Sequence, residues 1–178
     1  ENILASAYND TITGNTNSNK IVGGNGSDLI YGSNGAGDII DGGSDISFID
    51  VLDYSKLDQK IILTTTGTTY NVLKYGGGSD TVTTVEEIIG TNHNDTLTGG
   101  DFADTFDSGS GDDELVGGKG ADKLYGGANN DIYKATSYDD GDDLFSDVSG
   151  NDTVDYSAIS NNTYHLEVDL TAGKAYIK

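Results

Sequence analysis

The sequence predicts an all-β chain: a parallel β-roll (β-helix) built of nonapeptide repeats, with two roll blocks joined by an antiparallel β-rich spacer. Three observations carry that prediction. Residues 90–134 divide without remainder into five nonapeptides, GTNHNDTLT, GGDFADTFD, SGSGDDELV, GGKGADKLY and GGANNDIYK. The sixth place in each is aspartate (Asp95, Asp104, Asp113, Asp122, Asp131) and the eighth is large and apolar (Leu97, Phe106, Leu115, Leu124, Tyr133). No stretch of useful length has helical periodicity, whereas β-branched and aromatic runs between glycine turns recur. A period this strict marks stacked units, each buried only by its neighbours.

The physics of one unit follows from its residues. A run such as Gly117-Gly118-Lys119-Gly120-Ala121-Asp122 lets the backbone visit positive φ, so several carbonyls turn toward one point while the aspartate closes the turn. Lys123-Leu124-Tyr125 then makes a very short strand with one side chain inward and two outward. Turn, strand, turn, strand is one flattened coil, so each repeat stacks on the next but one. Asp95, Asp113 and Asp131 therefore line one edge, and Asp104 and Asp122 the other. Carboxylates stacked in this way repel unless a cation lies between them. An all-oxygen pocket suits a hard ion with six or more ligands, which is calcium. The bland alternative for the aspartates is a turn-forming role without metal.

In chain order, residues 1–50 form the first, less regular roll block. Ala5–Thr13 places Asp10 and Ile12 in the sixth and eighth places, and Gly14–Val22 places Asn19 and Ile21 there. Gly23–Tyr31 is a full match with Asp28 and Ile30, Gly32 is one extra residue, and Ser33–Asp41 restores the register through Asp38 and Ile40. Gly42–Asp50 is expected to hold Ile49 inside, with Ser47 in the acid place and Asp45 nearby. This block is expected to bind fewer ions. Residues 51–89 break the pattern and read as antiparallel strands over Lys60–Thr66, Thr68–Tyr75 and Thr81–Ile89, with a Gly76-Gly77-Gly78 turn. Such a spacer is expected to cap an open end of the roll. Residues 90–134 are the second block, and 135–178 an acidic loop followed by the start of a second spacer. That last assignment rests on Asp152–Ser157, which repeats Asp50–Ser55 at an offset of 102. Asp139, Asp140, Asp142 and Asp143 read equally as a solvated loop or as an irregular calcium site.

The consensus G-G-x-G-x-D-x-U-x resembles that of the repeats-in-toxin (RTX) family, and the resemblance covers about half of the chain directly. It implies a parallel β-roll binding several Ca²⁺ ions, each between loops n and n+2, through sixth-place carboxylates and carbonyls of the first four places. Carried over, the candidate ligands of the first block are Asp10, then Gly23, Gly24, Asn25, Gly26 and Asp28, then Asp38 and Asp45. In the second block they are Gly90, Asn92 and Asp95, then Gly99, Gly100, Asp101 and Asp104. Ser108, Gly109, Ser110, Gly111 and Asp113 follow, then Gly117, Gly118, Lys119, Gly120 and Asp122, and last Gly126, Gly127, Ala128, Asn129 and Asp131. The best sites are expected between 108–113 and 126–131 and between 99–104 and 117–122, with His93 and Phe102 departing from the glycine expected in the fourth place.

Composition narrows the partners. The 178 residues include 30 acids, 25 of them aspartate, against 9 lysines and no arginine, for a formal charge of −21. That balance argues against nucleic acid and anionic membranes, and no apolar run approaches a membrane span. No cysteine is present, which excludes a disulfide scaffold and a thiolate metal site. No G-x-S-x-G, H-E-x-x-H or phosphate loop occurs, so the chain is not expected to be an enzyme. The absence of an initial methionine and the end at Lys178 suggest a piece of a longer protein with neighbouring domains. The resemblance implies a module that folds on extracellular calcium within a type I-secreted bacterial toxin, adhesin or surface-layer protein, with a carbohydrate or cell-surface partner possible. A non-catalytic accessory role in a secreted epimerase, lipase or protease is the alternative.

Overall fold

A computed structural model describes residues 1–44, 47–136 and 141–159, together with the strands at 166–169 and 174–177. The first coils are built from β1 (Asn2–Leu4), β2 (Thr11–Thr13), β3 (Lys20–Gly24), β4 (Leu29–Tyr31), β5 (Ile39–Gly43) and β6 (Val51–Asp53). A meander of longer strands follows: β7 (Ile61–Thr66), β8 (Thr69–Lys74) and β9 (Ser79–Thr83). The coils resume with β10 (Glu87–Ile89), β11 (Thr96–Thr98), β12 (Thr105–Asp107), β13 (Glu114–Val116), β14 (Lys123–Tyr125), β15 (Ile132–Lys134), β16 (Leu144–Ser146) and β17 (Thr153–Asp155). An antiparallel pair, β18 (Leu166–Asp169) and β19 (Lys174–Ile177), comes last.

Alternate strands fall into two facing sheets. One runs β1-β3-β5-β9-β8-β7-β11-β13-β15-β17, and the other β16-β14-β12-β10-β6-β4-β2. Pairing between coils is parallel and in register, residue on equivalent residue: Ile12 on Ile30, Leu97 on Leu115, Phe106 on Leu124. The chain is thus the all-β parallel roll that the repeat predicts. A three-residue strand has one inward side chain, so each coil offers the core only its eighth-place residues. Ile21, Ile30, Ile40, Leu97, Phe106, Leu115 and Leu124 are each at most 1% exposed. Burial stabilises by about 1.5–3 kcal/mol per such side chain. No single coil survives on that sum, and stacking supplies the rest.

The structure corrects the register near residue 45. Ile49, expected inside, is 55% exposed, whereas Asp50 and Leu52 are 2% and 0% exposed. Extra residues in the loop between β5 and β6 push Ile49 outward, and the sixth and eighth places fall on Asp50 and Leu52. Ser47 therefore does not hold the acid place, and Asp45 lies outside the described residues. The extra Gly32 has a visible cause: a Cβ there would lie 2.2 Å from the Tyr54 ring, which is buried against it.

The spacer strands β7, β8 and β9 are antiparallel as predicted, but they cap no end. They are embedded in one sheet, β9 paired to β5 and β7 to β11, while the opposite sheet passes from β6 to β10 without interruption. The expected continuous strand over 81–89 divides in two, because Thr84 at φ 52° turns the chain from one sheet to the other. Tyr75–Thr83 (YGGGSDTVT) is itself a nonapeptide, with Asp80 and Val82 both 0% exposed. Nor does the roll stop at residue 134. Asp143 and Phe145 are buried in sixth and eighth places, and β16 and β17 continue the two sheets. Asp139 and Asp140 lie outside the described residues.

Candidate metal centres

The loop of each repeat is shaped by residues two and four. Gly24 and Gly26, Gly109 and Gly111, and Gly118 and Gly120 all have positive φ, and Asn129 takes the same left-handed shape at φ 87°. His93 and Phe102 stand in the fourth place without positive φ, so their loops turn differently.

Sixth-place acids form two ladders, one along each edge of the roll. Within each roll block the Oδ1 of one acid accepts the backbone N–H of the sixth-place residue one coil earlier. Asp95 donates to Asp113 at 2.7 Å, Asp113 to Asp131 at 2.9 Å and Asp131 to Asp152 at 3.0 Å. On the other edge Asp10 donates to Asp28 and Asp28 to Asp50, both at 2.8 Å, and Asp104 donates to Asp122 at 2.7 Å and Asp122 to Asp143 at 3.0 Å. Fifth-place side chains reach the opposite way. Asn94 Oδ1 accepts from Asp112 N, Asp112 Oδ1 from Asn130 N and Asn130 Oδ1 from Asn151 N, at 3.0–3.1 Å. Each coil along that edge is therefore clamped to both neighbours.

The ladder uses one carboxylate oxygen and leaves the other. Asp28 Oδ2, Asp113 Oδ2 and Asp131 Oδ2 are buried with no hydrogen-bond partner, and burying a charged oxygen in that state is costly. Oxygens of loops n and n+2 also converge on the first-place residue. A Cβ on Gly99 would lie 2.3 Å from Asp104 Oδ2 and 2.0 Å from the Gly117 carbonyl; on Gly23, 2.4 Å from Asp28 Oδ2 and 2.3 Å from the Gly42 carbonyl. Burial pushes Asp113 up to about 7, helped by repulsion from Asp95 and Asp131, and Asp131 to about 6, helped by Asp147 and Asp152. Orphaned buried carboxylate oxygens, converging carbonyls and no nitrogen or sulfur ligand fit a hard divalent ion of high coordination number, calcium.

The candidate ligands are not equivalent. Asp95 has both oxygens engaged, by Ile61 N, Thr91 N and the Thr91 hydroxyl. Asp104 gives Oδ1 to the Tyr70 hydroxyl and Oδ2 to Gly100 N. Asp10 Oδ2 is taken by Ser6 N and its hydroxyl. Asp38 Oδ2 accepts from Ser33 and lies 3.8 Å from Lys74 Nζ. Asp101 and Lys119 form an exposed ion pair at 2.9 Å, which turns both side chains outward. Gly90, Gly100, Gly127, Asn25, Asn92, Ser108, Ser110, Ala128 and Gly126 occupy the loops where the repeat places them.

Four acids of these edges were not legible as ligands, Asp50, Asp80, Asp147 and Asp152, and Asp143 was legible only as one of two readings of its loop. Except at Asp147, their signal was an aspartate two places before an inward apolar residue, as in Asp143-Leu144-Phe145. Asp131, Asp147 and Asp152 bring one oxygen each within 4.8 Å of one another, and Asp147 Oδ1, like Asp131 Oδ2, has no hydrogen-bond partner. Asp147 stands in the first place of its coil, where Gly126 stands one coil before.

A family model described as the RTX calcium-binding nonapeptide repeat matches residues 4–39, 89–122 and 107–135, in 4 copies. Among solved structures the chain is similar to the extracellular lipase LipA from Serratia marcescens, at 18% identity and a TM-score of 0.44, over 86% of this chain and 31% of the lipase. It therefore spans about a third of that protein's length. The chain matches no curated protein sequence. Over residues 4–39 and 89–135 the chain thus carries repeats that match the RTX calcium-binding nonapeptide repeat.

Proposed function

We propose that this chain is a calcium-triggered folding module of a larger secreted bacterial protein, binding several ions along both edges of the roll. The observation that supports it best is the row of buried carboxylates, among which Asp28, Asp113 and Asp131 each have one oxygen committed to the neighbouring coil and one left over. Without an ion these oxygens oppose burial. With one, the same oxygens bind it, and the ion's binding energy becomes folding energy by mass action. Calcium is scarce in cytosol and abundant outside the cell. The module would therefore stay unfolded until export and set at the cell surface or beyond. The strongest sites lie between loops 108–113 and 126–131 and between 126–131 and 147–152, where the acids with leftover oxygens face one another.

The experiment is far-UV circular dichroism during a calcium titration at neutral pH, with magnesium as control. A cooperative coil-to-β transition with calcium alone is expected. A full β spectrum in excess chelator would overturn the proposal and return the aspartates to turn-forming.

A further inference from the structure

Where the embedded meander meets the first coils, one pair of loops, alone among the described residues, encloses a buried lysine. Loops 33–38 and 75–80 stack as loops n and n+2 do: Gly78 N donates to Gly35 O at 3.0 Å, Thr81 N to Asp38 O at 2.8 Å, and Asp38 N to Asp80 Oδ1 at 2.8 Å. The last of these is the ladder bond seen between Asp95 and Asp113. Here, however, no buried oxygen is left over. Lys74, at the end of β8, sends its ammonium between the two acids, 2.6 Å from Asp80 Oδ1, 3.8 Å from Asp38 Oδ2 and 3.4 Å from the Ala36 carbonyl. Tyr54 donates its hydroxyl to Asp80 Oδ2 at 2.7 Å, and Ser33 donates to Asp38 Oδ2 at 3.0 Å. Lys74 is 1% exposed and Asp80 0%, and Lys74 is the one buried lysine among the described residues.

A lysine is buried so completely only when its charge is answered. An ammonium is a compact point charge with three donors. It meets here two carboxylates and a fourth-place carbonyl, the ligand types that serve an ion elsewhere in the roll. We propose that Lys74 is a built-in counter-ion occupying a metal site of this roll, so that the junction between the meander and the first coils closes without calcium and seeds the coils on either side. The idea rests on calcium folding the remaining coils. It adds that one site is not filled from solution, and that calcium dependence is graded along the chain. The antiparallel hairpins of the meander pair residues close in sequence, which favours early formation of this segment.

The test uses the full chain. In chelator, hydrogen exchange at the Asp38 and Thr81 amides is expected to be at least about tenfold slower than at the Asp95 and Glu114 amides, which make the equivalent bonds to Asp113 Oδ1 and the Asp95 carbonyl, and calcium should abolish the difference. Equal exchange in chelator overturns the seed. Lys74→Ala removes the charge and leaves space, so it should bind one more calcium than wild type and lose the chelator protection at Asp38. Lys74→Met fills the space and should lose protection without gaining the ion. An unchanged ion count together with unchanged protection in Lys74→Ala also overturns the proposal. If Lys74→Ala fails to fold even with calcium, the wild-type exchange comparison decides alone. A wild-type chain that takes up no calcium defeats the proposed function instead, and the same chelator comparison still decides the role of Lys74.

Discussion

Asp113 divides its two oxygens between two tasks, Oδ1 accepting the Asp95 amide and Oδ2 standing buried without a protein partner. Asp113→Asn separates the tasks, since the amide oxygen keeps the ladder bond while the charge disappears. The variant is expected to lose one bound calcium and to raise the calcium midpoint by about tenfold, equivalent to about 1.4 kcal/mol. In chelator it should be more stable than wild type, because a buried charge between Asp95 and Asp131 is gone. A calcium titration followed by circular dichroism reads both effects, and an unchanged midpoint would remove Asp113 from the ligand set. Gly117 makes the complementary case. A Cβ there would lie 2.1 Å from Asp122 Oδ2, so Gly117→Ala must displace that carboxylate. It should weaken calcium binding with no change of charge, as calorimetry on the variant would register.

At the scale of one coil, the eighth-place side chain carries the packing. Leu115 is 0% exposed between Leu97 and Tyr133 in the same sheet. Leu115→Ala should cost about 2–5 kcal/mol by denaturant unfolding in saturating calcium. Val148, 84% exposed, should tolerate alanine within about 0.5 kcal/mol. The coil was legible wherever its period ran unbroken, because an aspartate two places before an apolar residue states both the turn and the inward side chain. It was lost at Asp50, Asp80 and Asp143, each preceded by a loop or insert of unpredictable length. Lengthening a surface loop costs little entropy, so nothing in the local sequence fixes where the phase restarts. The antiparallel strands of the meander could be read from their β-branched runs. Their position inside one sheet could not, since it depends on pairing β9 with β5 and β7 with β11, contacts distant in sequence. The same limit hid the partners of Asp104 and Asp80, whose oxygens are taken by Tyr70 and Lys74 of that insert and by Tyr54, just after β6.

Over the whole molecule the formal charge is −21, and along the two edges of the roll protons and calcium compete to neutralise the buried acids. Burial raises Asp95, Asp104, Asp113 and Asp131 from the ordinary aspartate value, Asp113 to about 7 and Asp131 to about 6. In the unfolded chain aspartate titrates near about 3.9. A folded state with the higher pKa binds more protons than the unfolded state between those values, so without calcium stability falls as pH rises through that window. The chain in chelator should therefore be most folded near pH 4 and lose β structure as pH climbs through about 6 to 7, where Asp131 and Asp113 ionise. Calcium needs the ionised form, so its effect has the opposite slope and strengthens over the same range, with protons released on binding. Circular dichroism in chelator at pH 4 and pH 8, paired with proton release on adding calcium in weak buffer near pH 6, measures both arms. An equally unstructured chain at both pH values would mean that neutralising the edges is not enough. The ion would then be needed for the ligands it gathers between loops, with charge balance the lesser part.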